Sequence, residues 1–262
     1  MPFTPSHAVL ALPFVRTPLA PAAVAVGAMT PDLPLFVRGL PVTYGLTHDL
    51  RWLPVTAMLA LALLLLWRAL LRPAARELAP GPLAERLPAG WDAPVRTIWR
   101  ETFGASATAA LLLAASLMIG VASHIAWDAF THEGRLGSQL FPALEEPWGP
   151  LPGIKWLQHG SSAIGLGIIA VWALLWLRRR PRVPYAPRTP RWVGVVWVAS
   201  LPAVLIAAWV IGLAAYGPLT SEFTVAHLAY RVLPQACAVW AAATLVLCGF
   251  VVWRRSRGVA SR

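Results

Sequence analysis

Five stretches of the chain are apolar for long enough to cross a bilayer, and the polar residues gather between them rather than within them. A span takes about 20 mostly apolar residues, because hydrocarbon offers backbone N–H and C=O groups no partner outside their own helix. The stretches are Leu53–Leu71, Ala105–Trp127, Ser161–Leu177, Trp192–Tyr216 and Val232–Trp253. Arg68 is near enough to the end of the first to snorkel to the interface. Trp52, Trp127, Trp192 and Trp253 fall at span ends, where indole rings bridge hydrocarbon and water. Residues 7–37 are also apolar, but Pro13, Pro18, Pro21, Pro31 and Pro34 interrupt them. They predict a re-entrant or interfacial helical segment packed against protein. The expected fold class is all-α: a polytopic membrane helical bundle of about five transmembrane helices plus this N-terminal segment. The Arg/Pro-rich stretch Arg178–Arg191 is a composition break. It divides a membrane domain at 1–180 from a C-terminal transmembrane hairpin and basic tail at 192–262, with 181–191 as a basic, Pro-rich cytoplasmic linker. The Pro-rich loop 72–100 predicts a short helix plus irregular chain.

Composition narrows the class. Hydrophobic residues make up 58% of the 262, and charged residues 13%, about half the share of an ordinary soluble domain. Mean hydropathy is +0.62. A soluble enzyme and a disordered chain are both excluded. Net charge is +11, and every basic residue but Lys155 is arginine. In a soluble protein that excess would suggest nucleic acid. Here the basic residues in successive connecting pieces number 3, 6, 2, 6, 1 and 4 from the N-terminus. By the positive-inside rule the heavy pieces are cytoplasmic, so the N-terminus lies outside and the C-terminus inside the plasma (inner) membrane. The charge is a topology signal; the lipid bilayer is the expected partner and nucleic acid is not. Cys237 and Cys248 share one apolar run with no CxxC partner, and read as inert helix residues. The Pro-broken N-terminus does not read as a cleavable signal peptide.

On this topology all six histidines, His7, His48, His124, His132, His159 and His227, fall on the external side or the external end of a span. The strongest local pattern is Ser123-His-Ile-Ala-Trp-Asp-Ala-Phe-Thr-His132. It sets His124, Asp128 and His132 at i, i+4 and i+8, along one face of a helix that Gly134 can stop. Such a face either hydrogen-bonds at a wet helix end or binds a divalent metal; imidazole and carboxylate suit zinc, with manganese the alternative. Gly27-Ala-Met-Thr-Pro-Asp32 places a carboxylate in a Pro-Gly turn, as a turn former or a ligand. Thr47-His48-Asp49 precedes the first span, where Thr47 or Asp49 can cap a helix; capping leaves His48 unexplained. His159 opens the third span. His227 has no partner of comparable pattern and reads as an interfacial residue.

Together the opening Met-Pro-Phe-Thr-Pro-Ser-His, the Gly-Ala-Met-Thr-Pro-Asp, the Thr-His before a long apolar helix, the Ser-His-x-x-Trp-Asp-x-Phe-Thr-His and the Leu-Gln-His-Gly-Ser-Ser resemble the uncharacterised integral-membrane family called domain of unknown function 4184, over residues 1–180. A looser similarity runs to the YdjM-type predicted membrane-bound metal-dependent hydrolases. That group in turn looks distantly related to zinc-dependent phospholipase C and single-strand nucleases. The resemblance implies His7, Asp32, His48, His124 and Asp128 as metal ligands, with His132 and His159 as additions. Asp49 stands where the looser pattern prefers Ser. The expectation is a metal-dependent hydrolase at the external membrane surface acting on a phosphoester or lipid-linked substrate, with Glu133 or Asp49 as candidate proton acceptors. The competing expectation is a scaffold with a structural metal. Transport is weaker, because the third, fourth and fifth spans carry no mid-membrane ionisable residue.

Overall fold

The computed structural model describes residues 3–37, 41–93 and 95–260. Met1, Pro2, Arg38, Pro94 and Arg262, which enter the sequence reading, lie outside the described residues. Among those described, five helices are long and apolar enough to cross a membrane: Leu50–Leu78, Ala107–Thr131, Gly153–Arg178, Arg191–Tyr216 and Val225–Arg257. Strand among the described residues is confined to the small hairpin Pro147–Trp148 and Leu151–Pro152. The chain is thus an all-α polytopic bundle. Each helix extends past its apolar stretch at one end or both, because adding a residue to an existing helix costs far less than starting one.

The chain forms two compact units. The first comprises Met1–Pro34, Pro41–Leu66 and Val95–Arg180. Its helices are α1 (Pro21–Met29), α2 (Leu53–Leu66), α3 (Ala107–Thr131) and α4 (Gly153–Arg178). The second comprises Leu35–Leu40, Trp67–Pro94 and Pro181–Arg262, so the loop after the first apolar stretch groups with the C-terminal segment.

The proline-broken N-terminus of the first unit folds as a 3-10 helix, Thr4–Phe14, followed by α1. At about 2.0 Å and 1.5 Å rise per residue these run about 22 Å and 14 Å, short of the roughly 30 Å of hydrocarbon. The segment also closes on itself: the Thr4 hydroxyl donates to Asp32 Oδ2 at 2.6 Å across 28 residues. Its two ends therefore meet, and neither helix is among those of span length. Helix α1 packs on α3 backbone to backbone. A Cβ on Gly27 would sit 2.5 Å from the Leu117 carbonyl oxygen, and one on Gly120 only 2.3 Å from that of Val24. Gly27 therefore lies inside a helix at a close approach, not in the turn its neighbours Pro31 and Asp32 suggested. Small residues at helix contacts are how membrane helices gain packing where no hydrophobic effect drives them together. Ala23, Val24, Ala28, Ala57, Ala60, Leu64, Leu117 and Val121 are buried in this unit. On α4, by contrast, Ile164, Ile168, Val171 and Leu174 are exposed, as a lipid-facing helix requires.

In the second unit the chain continues from α2 through the π-helical turn Trp67–Leu71 into the helix Arg72–Leu78. Arg68, expected at the interface, is buried. Helices α5 (Arg191–Tyr216) and α6 (Val225–Ala260) pair. The indoles of Trp197 and Trp240 stack at 5.3 Å and donate to Thr244 Oγ1 at 3.0 Å and Ser200 Oγ at 2.9 Å. The Arg/Pro linker is anchored: buried Glu77 accepts from the Tyr185 hydroxyl and the Arg188 and Thr189 backbone N–H groups. Asp92 beside it holds both Arg76 and Arg255.

Candidate metal centre

Four ligand-type side chains converge in the first unit, each brought by a different local reason. Helix α3 is capped by Ser106, whose hydroxyl accepts from Ala109 N–H, and runs 25 residues from Ala107 to Thr131. That puts His124 and Asp128 one turn apart on a single face, about 10 Å and 4.5 Å before the helix end. Both are buried, so the wet helix end expected from sequence is instead a protein interior. Asp32 ends the 3-10 turn Thr30–Asp32 that follows α1. His48 follows the short helix Tyr44–Thr47, capped by Thr43 and tied down by Thr47 Oγ1 donating to the Pro31 carbonyl at 2.7 Å.

Asp32, His48, His124 and Asp128 each present one ligand atom, all within 4.8 Å of one another, and all four residues are buried. His48 Nε2 and His124 Nε2 are 3.2 Å apart. Asp128 Oδ2 is 3.4 Å from each of them. Asp32 Oδ1 is 3.6 Å from His124 Nε2 and 3.8 Å from His48 Nε2. Ligand bonds of about 2.0–2.2 Å in tetrahedral array put ligand atoms roughly 3.3–3.6 Å apart. The five spacings that involve a histidine match that figure to within about 0.2 Å.

Hydrogen bonding explains why the four face inward. His124 Nδ1 lies 2.7 Å from the Ala28 carbonyl, and His48 Nδ1 2.9 Å from that of Tyr44. A carbonyl only accepts, so each Nδ1 carries a proton and each ring turns its Nε2 to the centre. Two imidazole nitrogens 3.2 Å apart, with two carboxylate oxygens beside them, form a donor set that one cation could bridge. Asp32 Oδ1 and both oxygens of Asp128 are buried with no hydrogen-bond partner. Leaving such groups unsatisfied costs about 1–3 kcal/mol each, more when charged. The donor set therefore fits a divalent metal. Burial pushes the Asp32 carboxyl pKa up, with His124 and the Thr4 hydrogen bond opposing.

Two more histidines flank the group. His7 Nε2 is 3.8 Å from Asp128 Oδ1, and its ring lies 4.1 Å from that of His124. Burial, with His124 adding to it, holds the His7 imidazole down to about 4, so it is neutral near pH 7. His132 leaves the helix in an extended conformation, because α3 ends at Thr131, before Gly134. It is therefore off the helical face, yet its Nδ1 turns back to within 3.5 Å of Asp128 Oδ2 and 3.1 Å of the Asp128 carbonyl. Burial lowers its pKa as well. The Nε2 atoms of both rings are buried without a hydrogen-bond partner.

The remaining candidates stand apart from the four. Asp49 caps the 3-10 turn Leu50–Trp52, accepting from Arg51 N–H at 2.9 Å. Glu133 is exposed beyond the helix end, and His159 is exposed on α4. His227, in the second unit, is exposed and stacks on Phe223. Sequence reasoning passed over Thr4, which orients Asp32, and the Ala28 and Tyr44 carbonyls, which set the two rings. Only the opening motif, which contains Thr4, hinted at any of these.

Comparison with curated proteins and with solved structures finds no match. The family model described as Domain of unknown function (DUF4184) matches residues 1–252, and the chain, with its five span-length helices and buried Asp/His group, belongs to that family.

Proposed function

We propose that this protein is a metal-dependent hydrolase of the inner membrane that cleaves a phosphoester, free or lipid-linked, at the extracytoplasmic surface. One observation carries the reading: the cluster holds more ligand atoms than a single structural ion takes. Four atoms satisfy a closed tetrahedral site. Asp128 Oδ1 and the Nε2 atoms of His7 and His132 remain, buried and without hydrogen-bond partners at its edge. Two imidazoles and two carboxylates suit zinc, with manganese the alternative. When bound, such an ion supplies Lewis acidity toward a phosphoryl oxygen and a water of lowered pKa. The chain's own groups orient the reactants. Thr4 fixes Asp32, the Ala28 and Tyr44 carbonyls fix the two rings, and neutral His7 and His132 offer nitrogens for substrate or for a second ion. The alternating arginine count supports the outer face.

A second reading is favoured by burial. Asp32, His48, His124 and Asp128 are 0–6% exposed, as in coordinatively closed structural sites. Asp128→Asn separates the two. It keeps shape and removes the charge that balances the ion. Bound metal, melting temperature and hydrolysis of a phosphodiester panel are measured on the variant and the parent. A hydrolase loses metal and activity together, and parent activity appears in right-side-out vesicles but not in inverted ones. A structural site loses metal and melting temperature together, with no activity in the parent. Full metal occupancy in Asp128→Asn contradicts both.

A further inference from the structure

A groove of about 330 Å³ opens on the first unit beside the cluster, within the range of ligand sites, about 300–1,000 Å³. Its walls are the Thr4–Phe14 3-10 helix and α4, with Trp127 of α3 between them. A 3-10 helix stacks residues three apart, so its wall consists of two columns, Ser6 with Val9 and His7 with Leu10. The α4 wall is Ser161, Ile164, Gly165 and Ile168, the i, i+3, i+4, i+7 stripe of one helical face. Every row runs from polar to apolar in the same direction. The two walls also run side by side: Phe3 N–H donates to Ser162 Oγ at 2.9 Å, and Gly165 lies against Ser6 and Val9.

The polar end is tied to the cluster. His7 lines the groove, is 4% exposed, and sets its Nε2 3.8 Å from Asp128 Oδ1 without a hydrogen-bond partner. The Trp127 indole at the same end donates to Ser161 Oγ at 3.2 Å. The far end is aliphatic and lies along a helix whose Ile164 and Ile168 are 65% and 47% exposed. A wholly polar substrate would leave that end without a complement. An ordinary lipid-facing surface has no reason to end on a buried imidazole.

We infer that this groove seats one acyl chain of a membrane phospholipid, with the chain along Leu10 and Ile168 and the phosphate head toward His7 and the cluster. The inference rests on the hydrolase reading for the fate of the head group, while the seat itself is tested without catalysis. The full-length protein is reconstituted in nanodiscs with phosphatidylcholine bearing a diazirine at one acyl-chain end, then irradiated, and labelled peptides are mapped. Labelling is expected to concentrate on residues 6–10 and 161–168, above the lipid-facing control segment Val195–Val210. Ile164→Trp with Ile168→Trp should fill the groove and lower that labelling several-fold while metal content stays at the parent level. Ile164→Ala with Ile168→Ala, which leaves the groove open, should retain it. Labelling no greater than on the control, or unchanged by the tryptophans, overturns the seat. Labelling that survives in a protein with no phosphoesterase activity defeats the hydrolase reading and leaves the seat standing.

Discussion

Thr4 shows how much of this centre depends on residues that bind nothing themselves. Its hydroxyl occupies Asp32 Oδ2 at 2.6 Å and so leaves Oδ1 for the group of four. Outer partners of this kind typically hold about 10–100-fold in metal affinity. Thr4→Val keeps the shape and removes the donor. The expected outcome is metal retention weakened by about that factor, read by chelator competition, with helix content unchanged. Unaltered retention would mean that Asp32 is oriented by backbone alone. His124 and Asp128 were legible in sequence because imidazole and carboxylate at helical spacing are unusual in an apolar chain, and Asp32 and His48 were singled out by their Pro-Asp and Thr-His motifs. Thr4 was not, since a hydroxyl beside a proline has no such signature. Asp49 and Glu133 were named for proximity along the chain. Asp49 serves as a helix cap, and Glu133 lies past the end of α3. His159 stands apart from the four for a rotational reason. Ile154 and Gln158 form the buried stripe of α4, and the next residue turns about 100° away from it.

Among the elements, the contact of α1 with α3 does most to position the site. The Ala28 carbonyl reaches His124 Nδ1 only because Gly27 and Gly120 let the two backbones meet. Gly120→Ala would place a methyl 2.3 Å from the Val24 oxygen and 2.8 Å from Ala28 N. We expect a loss of about 1–3 kcal/mol, the usual cost of overpacking, together with reduced metal content. Gly167→Ala on α4, where an added Cβ meets nothing within 4 Å, is the control and should change neither. Equal melting temperatures for the two variants, compared in one detergent, would show that the close approach is not needed. The five span-length helices were readable from apolar runs alone. Their ends were not, because helix continues into polar flanks such as Arg72–Leu78. The N-terminal segment was readable as a helical stretch broken by its prolines, but not as a 3-10 helix of 11 residues, since runs of that length are uncommon.

At the scale of the whole molecule, the first unit carries the Asp/His group and the groove, and the second carries most of the arginine and its carboxylate anchors, buried Glu77 and half-buried Asp92. Sequence distance hid this grouping. The loop 67–94 and the stretch after Pro181 are far apart along the chain, and Glu77 gathers the Tyr185, Arg188 and Thr189 donors into one unit. Convergence of 7, 32, 48, 124 and 128 was likewise invisible as contact, although a shared ligand role required it. The central claim is that two imidazoles and two carboxylates hold a divalent ion. Its most direct test is elemental analysis of the purified full-length protein joined to X-ray absorption at the edge of whichever metal is found. The account predicts at least one tightly held divalent ion per chain, with N and O neighbours at about 2.0–2.2 Å, no sulfur, and an imidazole scattering pattern. A protein isolated without metal that takes up none from zinc or manganese, or an ion bound through sulfur, would contradict it.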